Sequence, residues 1–167
     1  IYYFLGMGSN LTSHHETENI LKLSKKKYRT LFDSVPDPIV IHDGKRILDL
    51  NQATLTALSL TNKEQMIGQD PFAPFHPDDK KPARARLVQL VKDGNPLQPA
   101  EFRMILKNNE QRTVLASPAP IEFGGQQAFM VNYHDITARK AITEELIRSK
   151  EFAENLMETA NTMVVAF

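Results

Sequence analysis

Hydrophobic residues follow two different rhythms along this chain. Two charged stretches, 13–34 and 138–157, contain neither Gly nor Pro, and their apolar residues recur at steps of three and four, which predicts two long helices. Val35-Pro36-Asp37-Pro38 ends the first, because proline removes a donor and restricts the residue before it. Between the helices, apolar residues come in short runs divided by turn formers, the pattern of strands. Ile39-Val40-Ile41, then His42-Asp43-Gly44-Lys45, then Arg46-Ile47-Leu48-Asp49-Leu50 predicts a hairpin whose Asp-Gly supplies the positive φ of a two-residue turn. Asn51 predicts the cap of a short helix over 52–60, and Thr61-Asn62-Lys63-Glu64 a capping box for a second one ending near Gly68. Residues 69–82 hold four prolines and three aspartates and predict irregular structure. Pro82 is expected at the first position of a third helix, with Ala83, Leu87 and Leu90 on one face and Gly94 at its end. Strands are expected at 100–107, 111–119 and 127–134, the last alternating Phe129, Val131 and Tyr133 against Met130, Asn132 and His134. The order β-β-α-α-α-β-β-β between long helices predicts an α+β domain, one sheet with its helices gathered on one face.

The first and last 42 residues are the same segment twice, offset by 125 positions without a gap. Phe4 falls on Phe129, Asn10-Leu11-Thr12 on Asp135-Ile136-Thr137, Leu21 on Leu146 and Ser24-Lys25 on Ser149-Lys150. Seven pairs are identical, and most of the others in these runs exchange like for like. A period of this size is far longer than the roughly 20–50 residues of a solenoid and matches one domain plus a linker. The chain is therefore expected to be a window from a tandem array, cut at both ends. The expected divisions are the last strand of a preceding module at 1–12, a helical linker at 13–34, a complete domain at 35–137, a second linker at 138–157 and the first strand of a following module at 158–167. The two end strands, 2–8 and 161–167, are expected to pair.

Composition narrows the function classes. Basic and acidic residues number 20 each, so no charge surplus argues for nucleic acid or an anionic membrane. There is no cysteine, which excludes disulfides, thiolate metal sites and cysteine nucleophiles. No apolar run approaches the roughly 20 residues of a membrane span, and a cytoplasmic location is expected. No nucleophile, base and orienting group fall in a catalytic arrangement, so no enzyme activity is expected of this segment.

Several short runs together resemble a PAS sensor domain. They are Tyr28-Arg29-Thr30-Leu31-Phe32-Asp33-Ser34-Val35-Pro36-Asp37 before the first strand and Leu50-Asn51-Gln52-Ala53 after the second. Ile67-Gly68, then His76-Pro77-Asp78-Asp79, follow in the helical crossover, and Asp135-Ile136-Thr137 closes the last strand. The resemblance covers about residues 28–137. It implies a five-stranded antiparallel sheet in the order 2-1-5-4-3 with helices on one face. It also makes the flanking segments parts of neighbouring PAS copies, and the parent a prokaryotic sensor, most like a histidine kinase of a two-component system. Fold alone does not fix function here, since PAS domains bind different ligands or none.

The resemblance also frames the cofactor question. Haem members carry a histidine a few residues after the Pro-Asp of the crossover helix; here Pro82 falls at that place, and proline cannot ligate iron. Flavin adducts of the light-sensing type need a cysteine. No resident cofactor is therefore expected, haem and covalent flavin are disfavoured, and a small-molecule ligand or non-covalent flavin stays open. His76-Pro77-Asp78-Asp79 reads as a helix cap rather than a metal cluster. His134-Asp135-Ile136-Thr137-Ala138-Arg139 lies at a strand end, unlike a phospho-accepting histidine box.

In such folds a ligand sits between the sheet and its helices. The expected lining is Ile39, Ile41, Leu48, Leu50, Phe129, Val131 and Tyr133 from the sheet, roofed by Phe72, Phe75, Leu87 and Leu90. A closed core made of the same residues is the competing reading. The expected signal relay is Asp135, Ile136 and Thr137. Ile142, Leu146, Ser149, Ala153 and Leu156 step by 4, 3, 4 and 3, and the first helix repeats the stripe at Thr17, Leu21, Ser24, Tyr28 and Leu31. This is a short, impure heptad seam, and it suggests a homodimer through the linker helices. The expected function is a sensory, relay and dimerisation module between adjacent PAS copies and a downstream output domain. The alternatives are a ligand-free spacer and the input of another output such as a cyclase.

Overall fold

A pair of prolines decides where the first long helix stops. A computed structural model describes residues 8–164, with side chains over 14–160. Helix α1 (Gly8–Ser34) ends where Val35-Pro36-Asp37-Pro38 begins, while α4 (Thr137–Val164) carries Ala160-Asn161-Thr162-Met163 at the equivalent place and runs on. Lengthening an existing helix is easy once it is nucleated, and a lone strand has no partner. The strands expected at 8–12 and 158–164 are accordingly replaced by helix. The expected pairing of 2–8 with 161–167 meets helix at Gly8 and over 161–164, and its remainder lies outside the described residues.

Five antiparallel strands form one sheet in the order β2-β1-β5-β4-β3. They are β1 (Ile39–His42), β2 (Ile47–Leu50), β3 (Ala100–Ile105), β4 (Gln111–Phe123) and β5 (Gln126–Asp135). All four residues of β1 are buried, so its sequence carries no alternation to read. Val40 joins the core beneath the short helix α2 (Gln52–Ala57) and the longer α3 (Pro77–Asp93), while Ile39 and Ile41 pack on the opposite side with Phe32 and Ala128. Both isoleucines thus point away from the face expected for them. The register of β2 slips between its partners Ile41 and His42, which puts Ile47 with Leu50 on the α2–α3 side and Leu48 on the α1 side. Past Ala116, β4 has no β3 partner, so Pro118 and Pro120 fall on a free edge that needs no donor.

The crossover differs from expectation at two points. The Thr61–Glu64 capping box does not form; the Thr61 N–H donates to Gln65 Oε1, and only a 3-10 turn, Lys63–Gln65, follows. Helix α3 starts five residues before Pro82, at Pro77, with the His76 Nδ1 accepting from the Asp78 N–H. Pro82 sits inside it on the solvent side, and Ala83 and Leu90 are buried toward the sheet. Asp79 accepts three hydrogen bonds from Arg103, which ties α3 to β3. The β1–β2 loop has four residues rather than two, and Gly44 within it has φ of 93°, which strains any other residue; a Cβ there would also press on the Leu87 side-chain end at 3.0 Å. No described helix is long and apolar enough to cross a membrane.

Candidate ligand cavity and helix junction

The α2–α3 side of the sheet is not filled. A cavity of about 310 Å³ is lined by Val40, Ile47, Met66, Met104 and Val114, with Tyr133 and the pair Arg112–Asp135. The last two side chains are 40% and 43% exposed, and they mark its open edge. A second void of about 40 Å³ lies under α3, between Phe72, Phe75, Leu87, Val131 and His42, and Tyr133 lines this one too.

Two neutral polar groups sit in this apolar region. Tyr133 is 7% exposed, and no described residue hydrogen-bonds its hydroxyl; burial alone pushes the phenol well above its ordinary pKa. His42 packs against Phe72 and Phe129, and its Nδ1 accepts from the Gly44 N–H at 3.0 Å. That acceptor role places the imidazole proton on Nε2. Burial pushes the His42 pKa down to about 4, against the opposing pull of Asp43 and Asp70.

The α1 side is closed and ionic. Asp49 is buried beneath α1, where its carboxylate accepts from Arg29 at 3.0 and 3.2 Å, from the Tyr28 hydroxyl at 3.2 Å and from Lys63 at 3.2 Å. Burial alone would raise its pKa, but Arg29, the Leu50 N–H and Lys63 outweigh it and hold the carboxyl below the usual range. Burial and the adjacent Asp49 carboxylate push the Tyr28 phenol up to about 12. Tyr28 and Phe32 stack, and Arg29 lies over both rings, so the end of α1 is fixed to β2.

Strand β4 joins the cavity to α4. Arg112 and Val114 line the cavity, and Thr113 between them holds the start of α4. The Ile136 N–H donates to the Thr113 carbonyl at 2.9 Å, and the Thr113 N–H donates to Thr137 Oγ1 at 2.9 Å. Asp135 accepts from the Thr137 N–H at 2.9 Å and from Arg112 at 2.8 Å, and Arg112 also pairs with Glu110. Lys140 pairs with Glu101 on β3. Beyond this knot α4 projects from the domain, leaving Ile142, Leu146 and Leu156 more than half exposed.

Of the residues expected to line the site, Phe72, Phe75, Leu87, Val131 and Tyr133 border the voids, Tyr133 alone of them reaching the large one. Leu50 and Leu90 are sealed in the core, and Phe129 packs on His42. Ile39, Ile41 and Leu48 are on the far face. Sequence reasoning missed Val40, Ile47, Met66, Met104, Arg112 and Val114. Arg112 and Val114 share a face with Ala116 by strand alternation, the one signal that points to them. His76 and Asp78 serve α3 and Arg103, and the His134 ring pairs with Asp37 at 3.1 Å. Among the described residues, no group of three His, Asp or Glu side chains is placed to hold a metal.

No curated protein matches this chain. Among solved structures it is similar to the PAS domain of an HTR-like protein from Haloarcula marismortui, with 17% identity, TM-score 0.60, and coverage of 73% of this chain and 99% of that one. It is similar also to the PAS domain of a Colwellia psychrerythraea protein, at 28% identity, TM-score 0.57, and coverage of 71% and 98%. A third is a PAS domain from a two-component sensor histidine kinase, at 15% identity, TM-score 0.56, and coverage of 68% and 97%. The PAS family profile, described as the PAS fold, matches residues 26–136. The chain belongs to the PAS family.

Proposed function

We propose that this chain is a sensory and relay module in which the state of the cavity is passed through β4 to α4. The observation that carries this reading is the placement of three consecutive residues: Arg112 and Val114 line the cavity, and Thr113 between them anchors Ile136 and Thr137. Anything that moves the cavity-facing side chains of β4 acts directly on the hydrogen bonds that aim α4. Asp135 belongs to both parts, lining the cavity edge and capping the helix start.

The output lies downstream of α4, and a histidine kinase is the favoured one; the sensor-kinase PAS domain among the similar structures and the 125-residue repeat support that context. The repeat also favours adjacent PAS copies on both sides. The exposed stripe Ile142, Leu146, Ser149, Ala153 and Leu156 supports a parallel homodimer through the helices, since one chain alone leaves it uncovered. A cytoplasmic setting fits the absence of cysteine.

If α4 transmits by its facing, helical phase matters more than length. In the intact parent protein, one residue inserted after Ile147 turns the downstream stripe by ~100° and is expected to lock or abolish output. Seven residues restore the heptad, lengthen the rod by ~10 Å and are expected to keep regulated output. Equal behaviour of both variants would reduce α4 to a tether and favour a spacer.

A further inference from the structure

The wall of the large cavity specifies the charge and polarity of what it takes. Of its threonine hydroxyls, Thr54 donates to the Ile39 carbonyl at 3.0 Å and Thr56 to that of Gln52 at 3.1 Å, while Ser59 stands exposed at the rim, where water serves it. Arg112, the cavity's one cation, is shared by two carboxylates, Asp135 at 2.8 Å and Glu110 at 2.6 Å. An anionic ligand would bring a third carboxylate to the same guanidinium, beside two like charges. A cation finds no free counterion, because Asp135 is held by Arg112 and the Thr137 N–H. Deeper in the wall, the Tyr133 hydroxyl belongs to a side chain more than nine-tenths buried and has no described partner. Apart from Ser59 at the rim, the remaining surface is aliphatic and thioether.

We propose that the large cavity binds an uncharged, largely apolar molecule carrying one hydrogen-bond acceptor, such as a ketone, ester or quinone-type carbonyl, which the Tyr133 hydroxyl donates to. This rests on the sensory reading above and names its ligand class. The hydroxyl opens onto an apolar cavity, where a hydrogen bond to a ligand acceptor contributes more than at an exposed site. Charge neutrality lets the molecule enter past Arg112 and Asp135 without breaking their pair.

Three naphthalenes of matched size separate the possibilities by titration calorimetry on the 167-residue chain at neutral pH. They are 2-acetylnaphthalene, neutral with an acceptor; 2-naphthoate, the anion; and 2-ethylnaphthalene, with no acceptor. The ketone is expected to bind about fivefold tighter than the ethyl compound and at least about tenfold tighter than the carboxylate. Tyr133→Phe keeps the ring's shape, and an unchanged melt confirms its fold. It is expected to erase the ketone's advantage and leave 2-ethylnaphthalene unchanged. Tightest binding by 2-naphthoate overturns the ligand class while a ligand-binding sensor stands. Equal binding of ketone and ethyl compound, in both proteins, overturns the role of Tyr133. No binding by any of the three overturns the proposal, and the insertion pair after Ile147 then decides the relay reading by itself.

Discussion

Against α1 the sheet is filled and charged; against α2 and α3 it is hollow and neutral. Ile41 and Ala128 are 1% and 0% exposed on the first side, and Asp49 there gathers Tyr28, Arg29 and Lys63. On the second side, Tyr133 and His42 border voids of about 310 and 40 Å³. Interiors are normally packed to crystal density, so a filled face resists deformation and a hollow one leaves neighbours room to move. In the proposed relay, the braced side holds still and a change on the hollow side is passed to the strand ends. The end nearest the large cavity is where α4 begins.

The largest expected contrast comes from truncation. Ile41→Ala on the filled face is expected to lose about 3–4 kcal/mol, since it removes fully packed carbon atoms and leaves a new cavity. Met104→Ala, at the edge of an existing void, is expected to lose about 1–2 kcal/mol, because its side chain has fewer partners to lose. Denaturant unfolding of both variants checks this, and equal losses would mean the void is closed in solution.

Acid separates the faces next. The folded pKa of His42 is depressed to about 4, so its contribution is complete above its ordinary value near 6.5 and is lost as pH falls from there toward 4. Up to about 2–3 kcal/mol is expected to disappear over that window. His42→Phe is expected to flatten this part of the stability curve. Asp49 is depressed below the usual carboxylate range, so its contribution is present above that range and is lost only as pH falls through the lower folded value. Asp49→Asn is expected to flatten the more acidic limb instead. Stability measured by denaturation from pH 7 to 3 distinguishes the two.

The smallest contrast comes from adding methyl groups. Val114→Ile extends into the cavity and is expected to gain about 0.5 kcal/mol or stay neutral. Ala128→Val on the filled face is expected to lose about 1–2 kcal/mol by overpacking. Thermal melts of the pair give the sign directly.

What the sequence revealed follows the same division. Turn formers and the proline cluster marked every strand, because punctuation is local. The facing of β5 was also legible, since Val131 and Tyr133 alternate with the polar Asn132 and His134, although Ala128 and Met130 beside Phe129 belong to the α1-side core. The facing of β1 was not, because Ile39-Val40-Ile41 is buried on both sides and has no polar face to set the phase. Leu48 was misplaced by a bulge that only the pairing of His42 with Ile47 defines. Arg112 escaped notice because an arginine at a strand start reads as surface; its role depends on Asp135, 23 residues away. The continuation of α4 past 157 turned on the absence of a proline in the second copy.

The central claim is that occupancy of the hollow face is read at the β5–α4 junction. Amide hydrogen exchange, measured with and without saturating 2-acetylnaphthalene, tests it most directly. Thr113, Ile136, Thr137 and the first turn of α4 are expected to change protection, while Ile41, Leu50 and the end of α1 stay as they were. If the probe binds and protection changes only in α2 and α3, with the junction unmoved, the cavity is not coupled to the helix and the account is wrong.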